Sequence, residues 1–180
     1  MQAIILAAGM GKRLGELTKN NTKCMVEVDG VRLIERALRI LDRKNLNRII
    51  LVVGYQHENL ISFVNTLGIQ TKIEYIVNEI YDKTNNIFSL SLAKKQMIED
   101  DTLLLESDLI FEERLIDMLL EDKRDSLALV DKFESWMDGT CIVVDQEDNI
   151  TDFIPGKLLQ YREKEQYYKT VNIYKFGADF

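Results

Sequence analysis

Apolar residues along this chain recur with two different spacings that follow one another in turn. After Gln2 the stretch to Ala8 is an unbroken apolar run of strand length, the pattern of a parallel strand covered on both faces. Leu33 to Lys44 instead places Ile34, Ala37, Leu38 and Leu41 on one helical stripe. Arg48 to Val53 returns to a continuous strand, and Glu58 to Leu67 stacks Leu60, Ile61, Val64 and Leu67 before the stop at Gly68. Lys72 to Val77 predicts a further strand, Ile87 to Met97 a helix with Leu90, Ala93 and Met97 inward, and Thr102 to Glu106 a short buried strand. Beyond this point the pattern predicts a short helix over Arg114 to Leu120 and a strand over Ser126 to Val130. Cys141 to Val144 and Ile150 to Ile154 read as a hairpin around Asp145 to Asn149, and Tyr168 to Phe176 as a closing alternating strand. Gln160 to Gln166 reads as a charged surface loop. The succession predicts an α/β fold: a three-layer α/β/α sandwich on a mostly parallel sheet, with an antiparallel part late in the chain. With no repeats, low-complexity tract or composition shift, a single domain over residues 1–180 is expected.

Composition narrows the classes of partner. The chain has 180 residues, 46% of them hydrophobic and a single proline, which is enough for a core and leaves little for linkers. A formal charge of −7 argues against a DNA or RNA partner, because polyanion binding needs a basic face. A small nucleotide held by local charges stays compatible. No apolar run approaches the roughly 20 residues of a membrane span. The N-terminus has neither the charged segment nor the cleavage site of a signal peptide, so a cytoplasmic location is expected. Cys24 and Cys141 form no C-x-x-C pair and cannot complete a zinc set with one histidine, so both are expected as free thiols in the core.

The densest chemistry follows the first strand, in Leu6-Ala7-Ala8-Gly9-Met10-Gly11-Lys12-Arg13-Leu14, with Lys23 close behind. Gly9 and Gly11 allow the backbone to turn its N–H groups onto a ligand oxygen. Arg13 offers a planar fork of donors suited to phosphate, Lys23 a compact charge, and small Ala7 and Ala8 leave room for a flat base or sugar. A P-loop is excluded, because Leu6 and Arg13 stand where its first glycine and its Ser or Thr belong. The dinucleotide fingerprint would need a third glycine at Leu14. A second site stands in Leu103-Leu104-Leu105-Glu106-Ser107-Asp108, where carboxylates end a buried strand and face the crevice that open sheets use for ligands. Hard oxygen ligands of this kind suit Mg²⁺, which takes one or two carboxylates together with substrate phosphates.

Leu6 to Leu14, Thr18 and Lys23 resemble the signature L-A-A-G-x-G-x-R-L, threonine, lysine of the nucleotidyltransferases that activate sugar phosphates, phosphocholine or phosphonates. Asn21-Thr22-Lys23-Cys24-Met25-Val26 is closest to the phosphocholine and 2-aminoethylphosphonate cytidylyltransferase branch, although Thr22 stands where that family usually has proline. The resemblance implies a Rossmann-like nucleotide-diphospho-sugar transferase fold. It also implies that Leu6, Ala7, Ala8, Gly9, Met10, Gly11 and Lys12 hold the nucleotide, and that Arg13 and Lys23 act on its phosphates. Asp108 matches the last aspartate of the family's D-x-D and would bind Mg²⁺, while Glu106 replaces the first. Asn78, after the strand at Lys72 to Val77, falls where relatives contact the base. Asn85, Asn86 and Ser89 are similar to a segment beside the acceptor, and Thr84 and Asn85 also suit a helix cap. Relatives usually continue for a few dozen residues past Asp179-Phe180 and gain a second metal-binding aspartate there, so the chain is expected to lack that end.

Trp136 and Asp138 combine an indole face with a carboxylate, which suits an ammonium group and hence an amine-bearing acceptor. The bland alternative makes Trp136 a partly buried packing anchor. His57 precedes a helix, lacks a Ser or Cys partner motif and reads as a surface or capping residue. The expected reaction transfers CMP from CTP to a small phosphate or phosphonate acceptor, phosphocholine or 2-aminoethylphosphonate. A sugar-1-phosphate nucleotidyltransferase using UTP or dTTP, and a non-catalytic nucleotide-binding module, are the alternatives. Membership of a longer chain and assembly as a homo-oligomer both stay open.

Overall fold

The computed structural model describes residues 1–18, 21–160 and 165–179, with the side chains of 12–14 outside that set. The chain forms two compact units, Met1–Leu127 with Tyr174–Phe180, and Ala128–Ile173. The first unit opens with β1 (Gln2–Ala7), followed by 3₁₀ turns within Lys12–Thr18 and Lys23–Met25. A small hairpin pairs β2 (Glu27–Val28) with β3 (Val31–Arg32). Then come α1 (Leu33–Asp42), β4 (Ile49–Val53), α2 (His57–Thr66), β5 (Ile73–Val77), α3 (Asn86–Leu92), α4 (Lys94–Met97), β6 (Thr102–Glu106) and α5 (Glu113–Glu121).

Strands β5, β4, β1 and β6 lie side by side in that order, every neighbouring pair parallel. Ile4 and Leu6 of β1, Ile50 and Val52 of β4 and Leu104 of β6 share one face, and with Ala93 they form a core cluster against Leu90 and Met97. Because side chains alternate along a strand, Ala3, Ile5, Ile49, Leu51, Leu103 and Leu105 point to the other face, and each is 0% exposed. The buried stripes available to cover it are Ile34, Ala37, Leu38 and Leu41 of α1, Leu60 and Val64 of α2, and Ile116 and Leu119 of α5. This is the two-sided, three-layer packing that the unbroken apolar runs predict. Ion pairs of Lys44, just past the end of α1, with Glu113 at 2.7 Å and Asp117 at 2.5 Å tie that turn to α5.

The predicted helix over Ile87 to Met97 is divided at Ala93, whose φ of −94° and ψ of 11° leave the α region. Its N–H bonds Leu90 O at 2.9 Å, three residues back, which tightens the turn and lets the small side chain enter the core. The β2–β3 hairpin lies outside the sequence expectations. Its turn is Asp29-Gly30, with φ of 51° and 73°, the double positive φ of a two-residue hairpin turn.

The second unit holds β8 (Cys141–Val144) and β9 (Ile150–Ile154), an antiparallel hairpin with a register irregularity between Val143 and Val144. β7 (Leu127–Lys132) pairs with β10 (Tyr168–Phe176), and Tyr168 lies opposite Ile142 in antiparallel pairing with β8. Phe133, Cys141 and Tyr167 form its core cluster. Of the charged loop expected over Gln160 to Gln166, residues 161–164 lie outside the described residues.

Gly54 ends β4 in a place with no room for a side chain. An added Cβ would stand 2.8 Å from Tyr81 Cβ, 2.9 Å from Ala8 O and 3.0 Å from Ala8 Cβ. Overpacked sites of this kind lose about 1–3 kcal/mol. Gly54→Ala is therefore expected to lower the unfolding free energy by that amount, read as a lower urea midpoint at unchanged slope by far-UV circular dichroism, while Gly68→Ala, with open space around it but a φ of 66°, loses less.

Candidate active site

Four parallel strands bring four carboxyl ends to one edge of the sheet. Leu6 stands opposite Val52 and Glu106, Ala7 opposite Val53, and Val53 opposite Val77. The segments that leave these strands are Ala8-Gly9, Gly54-Tyr55, Asn78-Glu79 and Ser107-Asp108. Two backbone bonds lace them together: Tyr55 N to Ala8 O at 3.2 Å and Asn78 N to Val53 O at 2.7 Å. Leu6, Ala7 and Ala8 are buried, whereas Gly9 is exposed and Met10 half-buried. A Cβ at Gly9 would meet nothing within 4 Å, so its backbone borders open space.

Gly11 is where the loop needs glycine most. Its φ is 64°, and an added Cβ would lie 3.0 Å from both Lys23 Cβ and Thr18 Cγ2. The Thr18 hydroxyl donates to Gly11 O at 2.9 Å, so the signature's threonine clasps the loop that its glycine opens. Gly15 breaks the following 3₁₀ turns with φ 54° and ψ −121°. Lys12 and Arg13 supply backbone to this stretch, and their side chains lie outside the described residues. Thr22 stands at φ −76° and ψ 157°, a conformation that proline would also hold, so the turn keeps its shape without one. Its hydroxyl lies 2.9 Å from Cys24 Sγ.

The two carboxylates at the end of β6 have different partners. Asp108 forms an ion pair with the Lys23 ammonium. Glu106 accepts a hydrogen bond from Asn86 Nδ2 at 2.6 Å. Burial raises the Glu106 carboxyl above its ordinary range, and the neighbouring Asp108 charge adds to this against the opposing pull of Asn86 and Lys23. The donor set fits a hard cation in chemistry: two carboxylate side chains beside an open glycine loop, which would leave the remaining positions to a ligand's oxygens and water. Among the described residues no cluster of three or more acidic, His or Cys side chains is grouped for a metal, so protein ligands alone would not enclose one.

Asn78 is 1% exposed, and its side chain is occupied inside the protein. Its Nδ2 donates to Thr84 Oγ1 and Ser89 Oγ, both at 3.0 Å, and its Oδ1 accepts from Ile80 N at 3.1 Å. The side chain thus braces the 78–89 segment from behind, which also buries Ser89. Asn85 caps α3, accepting from Phe88 N at 3.3 Å, and Asn86 is exposed with its amide turned to Glu106. The structure therefore gathers the glycine loop, Lys23, Asp108, Glu106 and Asn86, and sets Asn78 and Ser89 as their support. Trp136 and Asp138 belong to the second unit, where Trp136 is 79% exposed, so the packing-anchor alternative is corrected. His57 opens α2 half-buried, with Nδ1 3.0 Å from Gly54 O, while the N-cap position falls to Gln56. Sequence reasoning left Glu106 without a role and missed its link to Asn86, which needs the chain fold to bring two segments together.

With this geometry in place, the comparisons with known proteins decide the family. Residues 3–148 match the MobA-like NTP transferase domain. The chain belongs to that family. As a MobA-like domain it is 33% identical over 141 residues to a CTP:phosphoglutamine cytidylyltransferase of Campylobacter jejuni, covering 76% of this chain and 54% of that protein. It is 29% identical over 157 residues to a CMP-5'-(3-aminopropyl)phosphonate synthase of Streptomyces rubellomurinus, covering 87% of this chain and 25% of that protein. A Bacillus anthracis structure described provisionally as a glucose-1-phosphate thymidylyltransferase superposes with a TM-score of 0.81 at 20% identity, over 99% of this chain and 72% of that one. The chain thus spans about half the length of the first relative and a quarter of the second. The shared fold is the nucleotide-diphospho-sugar transferase type that the sequence resemblance implies. No helix among the described residues is long and apolar enough to cross a membrane.

Two outcomes follow for this MobA-like loop. Gly11→Ala forces a side chain onto Lys23 and Thr18 at a φ of 64°, and is expected to lower the unfolding free energy by about 1–2 kcal/mol, the cost of a strained φ, in urea titrations. Burial pushes the Cys24 thiol from 9.0 up to about 11, and the sequence's expectation of free buried thiols holds for Cys24 and Cys141 alike. Between those two values the unfolded chain gives up this proton and the folded one keeps it, so stability falls as pH rises from about 9 to 11. Cys24→Ala is expected to flatten that part of the alkaline stability curve in urea titrations.

Proposed function

We propose that this chain is a nucleotidyltransferase domain that transfers CMP from CTP to a small amine-bearing phosphate or phosphonate, with release of pyrophosphate. The observation that supports it most is the meeting, at one sheet edge, of a glycine loop clasped by Thr18, the Lys23 ammonium and the Asp108 carboxylate. An acceptor oxygen attacks the α-phosphorus of bound CTP. The new oxygen–phosphorus bond forms as the bond from the α-phosphorus to the bridging oxygen breaks, and pyrophosphate carries away the electron pair. An ionised phosphate or phosphonate is its own nucleophile, so the step asks for no general base. Positioning and charge balance then supply most of the acceleration.

In this reading the backbone N–H groups of the 9–12 loop, with Arg13, hold the β- and γ-phosphates. Small Ala7 and Ala8 leave room for the nucleoside, and Asn78 keeps the neighbouring segment in register from behind. Lys23 balances charge at the α-phosphate. Asp108, with Glu106 beside it, would hold Mg²⁺ against the phosphates; when bound, the ion supplies Lewis-acid stabilisation of the departing charge. Asn85 and Asn86 form the acceptor side, with Ser89 buried behind them against Asn78. Support for an amine-bearing acceptor comes from the aminopropylphosphonate named for one relative. In the second unit, the exposed Trp136 indole and Asp138 carboxylate are of the kind that an ammonium takes.

Pyrophosphate release tests the reading. With CTP, phosphocholine or 2-aminoethylphosphonate is expected to give turnover, and Asp108→Asn to lower kcat about a hundredfold. Turnover with hexose 1-phosphates and UTP or dTTP in place of these acceptors would assign a sugar nucleotidyltransferase instead. Tight nucleotide binding with no turnover across the whole panel would mark a binding module.

A further inference from the structure

The placement of Lys23 deepens the proposed function and rests on it. The two acidic side chains at the end of β6 gather negative charge at one strand terminus, and of the two it is Asp108 that the Lys23 ammonium meets. Glu106 is held apart from that contact by Asn86, at 2.6 Å. The first carbons of the Lys23 side chain are fixed against the loop, since a Cβ on Gly11 would lie 3.0 Å from Lys23 Cβ and 3.3 Å from Lys23 Cγ. The ammonium is free to swing from there, at the end of a flexible stem that is 42% exposed. Its reach therefore includes both the carboxylate and the glycine loop without any movement of the backbone.

We propose that Lys23 serves as the resident counter-ion of Asp108 in the ligand-free protein, so that a divalent cation gains this carboxylate only as a nucleoside triphosphate draws Lys23 away.

Two cations cannot share one carboxylate at full strength. A carboxylate neutralised by an ammonium is a weak lure for an ion that gives up its water reluctantly. A triphosphate tail carries more negative charge than Asp108 and competes for Lys23 at the loop against which the side chain leans. Moving Lys23 from the carboxylate to the phosphates vacates Asp108 at the moment when phosphate oxygens become available to complete the ion's shell. Nucleotide and metal then bind with positive coupling, which linkage makes reciprocal: each tightens the other by the same factor.

Mn²⁺ binding to the full chain, followed by electron paramagnetic resonance of the free ion, reads this coupling without turnover. Lys23→Met is expected to bind Mn²⁺ alone about tenfold more tightly than wild type, from the charge interaction that the lysine removes. Lys72→Met deletes the same charge before β5, at the opposite strand ends, and is expected to leave Mn²⁺ affinity unchanged. With α,β-methylene-CTP added, wild type is expected to gain more Mn²⁺ affinity than Lys23→Met does. Nucleotide-free Mn²⁺ affinity of Lys23→Met within about twofold of wild type would overturn the proposal. If Asp108→Asn binds Mn²⁺ in the presence of the analogue as wild type does, the metal role in the proposed function fails as well. If Asp108→Asn loses Mn²⁺ while Lys23→Met shifts nothing, the coupling alone fails. Thermal melts of each variant establish that it is folded.

Discussion

Pairing of β1 with parallel neighbours on both sides is the constraint from which the rest of the first unit follows. A strand flanked by β4 and β6 has every backbone group engaged, and its side chains are buried on both faces, so neither face can be left to solvent. Helices must then lie above and below, and parallel order forces each connection to cross the sheet. The direct result is chemical. All four strands end on one edge, and the segments that leave them supply a glycine loop, a tight Gly54 turn, the braced Asn78 segment and the two carboxylates. None of these pieces is near another in sequence beyond the first loop and Lys23. Their proximity is a property of strand direction.

The same constraint explains what could be read from the residues alone. Continuous apolar runs and helical stripes located β1, β4, β5, β6 and the helices α1, α2 and α5 to within a residue or two at most ends, because burial dictates these patterns directly. Where burial is not the cause, the pattern fell silent. The β2–β3 hairpin has two-residue strands, too short for any period, and its Asp29-Gly30 turn was the sole available signal. The break at Ala93 follows from a local i−3 bond within an otherwise good helical stripe. The glycines, Thr18 and Lys23 were legible as a unit because they are close in sequence. The Asn86–Glu106 bond was hidden because it joins segments twenty residues apart, and the buried position of Asn78 was hidden because nothing in an Asn-Glu dipeptide tells which way its amide turns.

Around this edge each carboxylate has its own direct partner: the Lys23 ammonium for Asp108 and the Asn86 amide for Glu106. Lys23 lies in a 3₁₀ turn and Asn86 at the start of α3, while Glu106 ends β6 and Asp108 stands in the turn just beyond it. Behind them, Asn78 ties Thr84, Ser89 and the Ile80 amide to the end of β5, so the acceptor-side segment inherits the rigidity of the sheet.

The path of the chain between its two units has an evolutionary side. The segment Ala128–Ile173 departs after Leu127 and rejoins at Tyr174, so the first unit receives its last strand residues only after this whole excursion has been made. Closing such an excursion costs little more as it grows, because the entropy of joining its ends rises only with the logarithm of its length. Descendants of one ancestor could therefore lengthen, shorten or rewrite that insert while the four parallel strands and the glycine loop that follows the first of them went on unaltered.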